Sequence, residues 1–258
     1  MINSKKIIVV LPAYNAEKTL ERTVQKIPMD VVDEVFLVDD RSSDRTVELA
    51  KELALEVFEH EHNVGYGGNQ KTCYREALKR NADVVVMLHP DYQYDPRLIV
   101  AIAAPICYGV YDVILGSRIL GGQAMERGMP PLKYYVNRLL TFFQNVAFRM
   151  ALSEYHTGYR AFHAGVLRAV PFQENSDGFL FDNQMLAQII FHGFQVGEIS
   201  CPTRYFPDSS SIGLIQGIKY AFGCIVIAMQ YLLEKSKLAK FSVFRSQKQR
   251  TLDEILKD

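Results

Sequence analysis

VVVMLHPDYQYDP, residues 84–96, joins an apolar run to a polar one within a few residues. Val84 to Leu88 are uninterrupted hydrophobic side chains, which predicts a strand buried on both faces of a sheet. Where that run stops, His89, Asp91, Gln93 and Asp95 alternate with Pro90, Tyr92, Tyr94 and Pro96. Ligands of open α/β sheets bind at this edge, beyond the carboxyl ends of the strands. A carboxylate, a carboxamide and an imidazole within five residues suit a divalent cation, Mg2+ or Mn2+, with Asp91 and Gln93 as the pair and His89 beside them. A polar turn capping the next helix, with Asp95 as N-cap and Pro96 at its first position, explains part of the same pattern. The two roles coexist.

Upstream, Lys6 to Leu11 reads as a strand, Pro12 to Asn15 as a polar turn, and Ala16 to Ile27 as helical through Leu20, Val24 and Ile27. Glu34 to Val38 is a second buried strand, running into Asp39 and Asp40 before a helix around Val47 to Leu53. Ser43 or Asp44 would cap that helix, which leaves the two preceding acids for the ligand edge. A short strand at Leu55 to Phe58 leads to HNVGYGGNQK, residues 62–71, and a helix to about Arg80. Gly65, Gly67 and Gly68 are spaced wrongly for a dinucleotide fingerprint and follow the third strand, not the first. Glycines opening a helix still allow close backbone approach to a ligand.

Downstream come a helix over Arg97 to Tyr108 and a strand over Asp112 to Leu115 ending in Gly116, Ser117 and Arg118. The alternation predicts an α/β fold with a mostly parallel, doubly wound sheet flanked by helices. Leu120 to Pro131, with three glycines, two prolines, Glu126 and Arg127, lacks apolar periodicity and reads as a lid loop. From Tyr134 to Ala151 a long helix is expected, with Leu139, Leu140, Phe142, Phe143, Val146 and Phe148 as its apolar side and Asn137, Arg138 and Arg149 on other faces. TGYRAF (157–162), a helix near Ala164 to Val170, FLFDNQM with Asp182 near a helix start, and a strand over Gln195 to Ile199 follow.

The 258 residues suffice for one large domain, 1–210, with a helical tail, 211–258. Lys plus Arg and Asp plus Glu are equal at 29, so no field argues for nucleic acid, and an anionic substrate must be met locally. Four dispersed cysteines give neither a zinc pattern nor a disulfide framework, and a reducing cytoplasm is expected. The N-terminal apolar run ends too early for a signal peptide, so Met1 is expected to begin the mature protein. Ile212 to Leu233 is 22 residues long with Lys219 as its one charge, followed by Lys235, Lys237, Lys240, Arg245, Lys248 and Arg250. That composition fits a packed helix or a membrane-interfacial one better than a span, because Gln216, Lys219, Tyr220 and Gln230 interrupt it.

With these segments placed, the sequence resembles the family 2 glycosyltransferases of the GT-A fold, and among them the dolichyl- and polyprenyl-phosphate glycosyltransferases, over roughly residues 6–206. LPAYNAEKTL matches the family's first turn, which implies Pro12, Tyr14 and Glu17 around a nucleotide. VDDRSSDRT implies Asp39 and Asp40 as nucleotide-binding acids, HNVGYGGNQK implies Gly68 nearby, and GSR implies Arg118 as a phosphate-side arginine. TGYRAF and FLFDNQM are similar to further family segments and bring in Arg160 and Asp182, while Arg204 and Arg127 are expected near the substrate.

The resemblance has departures. His89 replaces the first acid of the metal motif and Tyr94 its histidine, Gln184 stands where a second Glu is usual, and FPDSSSIG follows Arg204 in place of the usual R-x-x-G-x-S-K. The resemblance implies inverting transfer of a sugar from a nucleoside diphosphate with a divalent metal, at the cytoplasmic face of a membrane if the acceptor is a lipid phosphate. A lipid-phosphate acceptor needs no strong base. A saccharide hydroxyl would need one, with Asp182 as the candidate. A catalytically silent nucleotide-sugar binding module is the third possibility that His89 and Gln184 leave open.

Overall fold

The computed structural model describes residues 1–205 and 213–245. A seven-stranded sheet is built from β1 (Ile7–Ala13), β2 (Glu34–Asp39), β3 (Glu56–Glu59), β4 (Val84–Met87), β5 (Val113–Ser117), β6 (Arg160–His163) and β7 (Val196–Ser200), in the order β3-β2-β1-β4-β6-β5-β7. Every pairing is parallel except those of β6, which runs antiparallel between β4 and β5. The helices are α1 (Leu20–Val24), α2 (Thr46–Glu52), α3 (Tyr66–Lys79), α4 (Ile99–Cys107), α5 (Pro131–Phe148), α6 (Ala164–Ala169), α7 (Phe181–Phe191) and α8 (Leu214–Lys235). Because β6 enters from the opposite direction, its first residue Arg160 pairs with both Met87 and Leu115, at the edge where β4 and β5 finish. This edge gathers the loops after β1, β2, β4 and β5.

The central strand is buried along its whole length, as its apolar run predicts. Two expectations upstream need correction. β1 continues through Ala13, with Pro12 buried and paired with Val38, so the polar turn begins at Tyr14. Proline is tolerated there because the ladder to β4 has already ended at the Val10–Met87 pair. The helix expected over Ala16 to Ile27 is regular only over Leu20–Val24. Alternation along the strands divides the core. Ile8, Val10, Phe36 and Val85 pack with α3, α6 and α7, while Ile7, Val9, Leu37 and Val84 pack with α4 and α1.

α5 corrects the sequence reading most. Leu140 and Phe148 are buried, but Leu139, Phe142, Phe143 and Val146 are exposed, Phe142 at 62% and Val146 at 65%. The buried face instead carries Asn137, Thr141 and Gln144. Burial of that polar stripe is tolerated because each group is partnered. Gln144 and Asn183 of α7 exchange amide hydrogen bonds at 2.9 and 3.2 Å, and Asn137 donates to Glu154 at 2.8 Å. Periodicity reveals two faces of a helix without saying which one meets the protein.

α8 packs beside α5 and α7 through Cys224, Ile227, Ala228 and Tyr231, one stripe at helical spacing. Tyr231 makes edge-on ring contacts with Phe148, Phe191 and Phe244. The helix is long and apolar enough to cross a membrane by length and composition, yet this stripe holds it along the domain.

Gly67, in the first turn of α3, shows why the glycines of HNVGYGGNQK are there. A Cβ at this position would lie 2.3 Å from the Ser176 carbonyl oxygen and 2.7 Å from the Phe181 Cβ. Both obstacles are backbone or rigid core, so Gly67→Ala should cost about 1–3 kcal/mol. Urea unfolding measures the loss, and an unchanged midpoint would contradict this packing.

Candidate active site

The loop after β4 is held in one shape from both sides. Tyr92 adopts φ 57°, a left-handed conformation that aromatic residues rarely take. Its ring lies under the Arg22 guanidinium at 4.2 Å, and its hydroxyl accepts from Arg204 at 3.0 Å and from Lys26. Arg204 also donates its backbone N–H to the Gln93 carbonyl and approaches Asp95 at 4.0 Å. Asp95 caps the following turn by accepting the Arg97 N–H, as expected. Anchored at Tyr92, the loop turns Asp91 to the strand edge, where Asp91 accepts the Gln93 N–H at 3.1 Å. Burial pushes the Asp91 carboxyl above its ordinary range, against the opposing influence of His89.

His89 stacks on Tyr66 with centroids 5.4 Å apart and planes 7° from parallel. Both its ring nitrogens are buried without a hydrogen-bond partner. Burial lowers its pKa, while Asp91 and Asp182 push the other way, so the ring is neutral near pH 7. A neutral imidazole with an unpartnered nitrogen is the form that binds metal.

No group of three or more His, Cys, Asp and Glu suited to a metal forms among the described residues. Asp91 and His89, with Gln93 in the same loop, can therefore provide only part of a cation's shell. Mg2+ and Mn2+ sites of this kind are completed by substrate phosphates and water. The orphaned imidazole and the carboxylate fit a cation that arrives with a diphosphate.

Two of the arginines expected near the substrate are buried and held by protein partners. Arg118 is buried and donates from Nε and Nη2 to Oε1 of Glu154, its backbone N–H donates to Oε2 of the same carboxylate, and Nη2 also reaches the His156 carbonyl. Arg160 is 0% exposed and donates to three carbonyls, those of Thr157, Asp182 and Tyr155. It braces the 155–157 segment against α7 and does not face a substrate. Asp182 accepts from the Tyr66 hydroxyl at 2.7 Å and from Gln70 at 3.2 Å. Gln184 accepts the Ser176 N–H at 2.7 Å, which gives this departure a structural purpose.

Lys133, which sequence reading passed over because it follows Pro130 and Pro131 at the end of an apparent loop, is close enough to Asp91 for each charge to act on the other. Burial and then Arg118 lower its pKa, while Glu154 and Asp91 raise it. It lies 5.4 Å from the Tyr205 ring and makes no ion pair among the described residues. The loop before it packs on itself: Ile119, Ala124 and Met129 form a small apolar cluster with Tyr134 and Tyr205, and Arg127 donates to Gln123.

At the ends of β1 and β2 the acids are structural partners. Asp39 accepts the Ser42 N–H at 2.9 Å and the Ser42 hydroxyl. Asp40 accepts from Val64 and Gly65 N–H groups at 2.8 and 3.0 Å and contacts His60, which shapes the entry to α3. Glu17 accepts the Arg45 N–H, joining the first two loops, and Tyr14 stands exposed at the rim. Gly68 does not offer its N–H to a ligand: with Gly67 it donates to the Asp177 carbonyl, at 3.2 and 2.6 Å. FPDSSSI, Lys248 and Arg250 lie outside the described residues.

Residues 8–170 match the glycosyl transferase family 2 domain, and the chain belongs to that family. Among curated relatives it is 26% identical over 249 residues to a UDP-N-acetylglucosamine–dolichyl-phosphate N-acetylglucosaminyltransferase of Methanococcus voltae, covering 89% of this chain and 99% of that one. It is 27% identical over 206 residues to an undecaprenyl-phosphate mannosyltransferase of Micrococcus luteus, covering 75% and 82%. The fold is similar to that of glucosyl-3-phosphoglycerate synthase from Mycobacterium tuberculosis, solved with Mn2+, UDP and glucosyl-3-phosphoglycerate, with a TM-score of 0.67, 19% identity, and coverage of 89% and 80%. The chain is thus placed among glycosyltransferases whose relatives are named for polyprenyl phosphates.

Proposed function

We propose that the protein is an inverting, metal-dependent glycosyltransferase that moves a sugar from a nucleoside-diphosphate donor to a polyprenyl phosphate, at the cytoplasmic face of a membrane. One contrast carries the choice of acceptor. The carboxylate that could deprotonate a sugar hydroxyl, Asp182, is engaged by Tyr66 and Gln70, whereas the Lys133 ammonium lies 5.4 Å from the Tyr205 ring and makes no ion pair among the described residues. A phosphate oxygen is already anionic and needs a cation to hold it more than a base to activate it. The names of the Methanococcus and Micrococcus relatives support the same choice.

In this reading Asp91, His89 and Gln93 would hold the cation that comes with the donor diphosphate. When bound, the cation neutralises charge developing on the leaving group. Lys133 holds the acceptor phosphate for attack on the anomeric carbon from the opposite side. Glu154 orients Arg118, whose positive charge adds to the field around the phosphates. Tyr14 and Asp39 border the nucleotide.

Asp39→Ala should weaken binding of the free nucleotide by about tenfold, the loss of one charge-assisted hydrogen bond. Calorimetry with UDP and GDP is the check, and an unchanged affinity would remove Asp39 from the nucleotide site.

The deciding experiment offers polyprenyl phosphate and free saccharides to the full chain with labelled UDP- and GDP-sugars and Mn2+. Label should pass to the organic phase with the polyprenyl phosphate. Transfer to saccharide alone would overturn the acceptor, and tight donor binding without any turnover would indicate a binding module.

A further inference from the structure

We propose that His89 sets the metal selectivity of the site, so that the protein prefers a first-row transition dication to Mg2+ and takes Co2+ more tightly than Mn2+. The proposal deepens the metal-dependent reading and rests on it for the presence of a cation. What it adds is which cation this chain's own donors choose.

The choice follows from the donor set. The loop after β4 offers one carboxylate, Asp91, and one imidazole, His89, two residues apart and close enough for each charge to act on the other. No group of three His, Cys, Asp or Glu forms around them among the described residues. Mg2+ takes oxygen donors, sheds water reluctantly and gains little from a neutral nitrogen. Affinity for first-row dications rises from Mn2+ to Co2+, and imidazole suits the later metals of the row. An imidazole where a second carboxylate could stand therefore withholds charge that Mg2+ needs and supplies a donor that Co2+ favours.

A donor discriminates between metals only if the fold holds it still, and His89 is held by face and by edge. One face of its ring stacks on Tyr66. Tyr66 is fixed in turn, because its hydroxyl donates to Asp182 at 2.7 Å and its ring packs on Phe179 with centroids 4.9 Å apart. Gln70 donates to the Asp182 carboxylate and Arg160 to the Asp182 carbonyl, which ties this support to the core. At the edge, the imidazole fills the space that a side chain at 158 would need: a Cβ on Gly158 would lie 2.8 Å from His89 Cε1 and 3.1 Å from Nδ1. Metal-bound histidines usually donate their second nitrogen to a nearby acceptor. Here both nitrogens are buried without a partner, so packing does the orienting. Two buried polar atoms left unpaired cost stability, and a cation on one of them recovers part of it.

Calorimetric titration of the full chain and UDP with Mg2+, Mn2+ and Co2+ in turn, less what UDP binds alone, measures the preference. Co2+ should bind roughly a hundredfold more tightly than Mg2+, with Mn2+ between them, and His89→Asp should shrink that ratio by about tenfold or more. Electron spin-echo spectra of the bound Mn2+ should show coupling to an imidazole nitrogen. His89→Phe, which keeps a ring against Tyr66 and removes the donor, should abolish that coupling. The metal ranking and the echo are read on the parent chain, so they decide the question even where a variant does not fold.

Equal affinity for the three cations, or bound Mn2+ without nitrogen coupling, would overturn the selectivity and leave a metal-dependent transferase standing. Coupling that survives in a folded His89→Phe protein would place the donor elsewhere and overturn it as well. If no cation binds with UDP, the metal reading itself falls, and this inference with it.

Discussion

Asp91→Ala should reduce sugar transfer by about a thousandfold or more in a protein that unfolds within about 1 kcal/mol of the parent. The two halves follow from the residue's position. Asp91 lies beyond the end of β4, in a loop whose shape is fixed by Tyr92 and its cations, and it accepts a hydrogen bond from the Gln93 N–H two residues away. Losing it opens no core cavity. It does remove the carboxylate of the same loop that acts on the unpartnered His89 imidazole. Without it a cation would keep only neutral protein ligands, and the leaving diphosphate would lose much of its charge compensation. Asp91→Asn, which keeps the volume, should be nearly as inactive if charge is the issue. Turnover with labelled nucleotide sugars and Mn2+, alongside circular dichroism, makes the test, and near-normal turnover by a folded Asp91→Ala protein would sink the assignment.

The strands and the ligand edge were legible in the sequence because apolar runs such as Val84 to Leu88 stop abruptly at polar residues, and no other environment suits such runs as well as a two-sided core. The antiparallel insertion of β6 was not, since TGYRAF carries no sign of strand direction. Nor was the orientation of α5. The rule that apolar faces turn inward presumes water on the other side, and α5 violates it along most of its length, from Leu132 to Val146. The buried arginines misled for a different reason: an arginine at a strand end looks like a phosphate ligand until its partners are known. Arg118 meets Glu154, 36 residues away, and Arg160 meets the Asp182 carbonyl, 22 residues away. Lys133 went unnoticed because its value lies in what it adjoins in space. Apolar patterning is local, whereas these ion partnerships are made by the fold.

Glu154→Ala should destabilise the protein by about 3–5 kcal/mol, because it leaves the Arg118 guanidinium buried without its counter-charge. Glu154 is 0% exposed and Arg118 8%. That loss exceeds the net worth of the pair, so replacing both with leucine or methionine should recover much of the stability without restoring full activity. The pH dependence gives an independent check. Burial pushes the Glu154 carboxyl up, but the charge and hydrogen bonds of Arg118 outweigh it and hold the folded pKa below the ordinary 4.5. A depressed folded value means that this contribution is fully present above 4.5 and is lost as pH falls through the folded value. Glu154→Gln should therefore lose stability at neutral pH and show a shallower acid limb than the parent. Because Asn137 donates to the same carboxylate and Arg138 to the Ser153 carbonyl, loosening Glu154 also frees the start of α5. The stable double variant should accordingly show a raised KM for the acceptor as the first turn of α5, with Lys133, loses its anchor. Urea melts from pH 3 to 8 and acceptor titrations measure the two effects, and a loss below about 1 kcal/mol for Glu154→Ala would show that this ion pair does not organise the site.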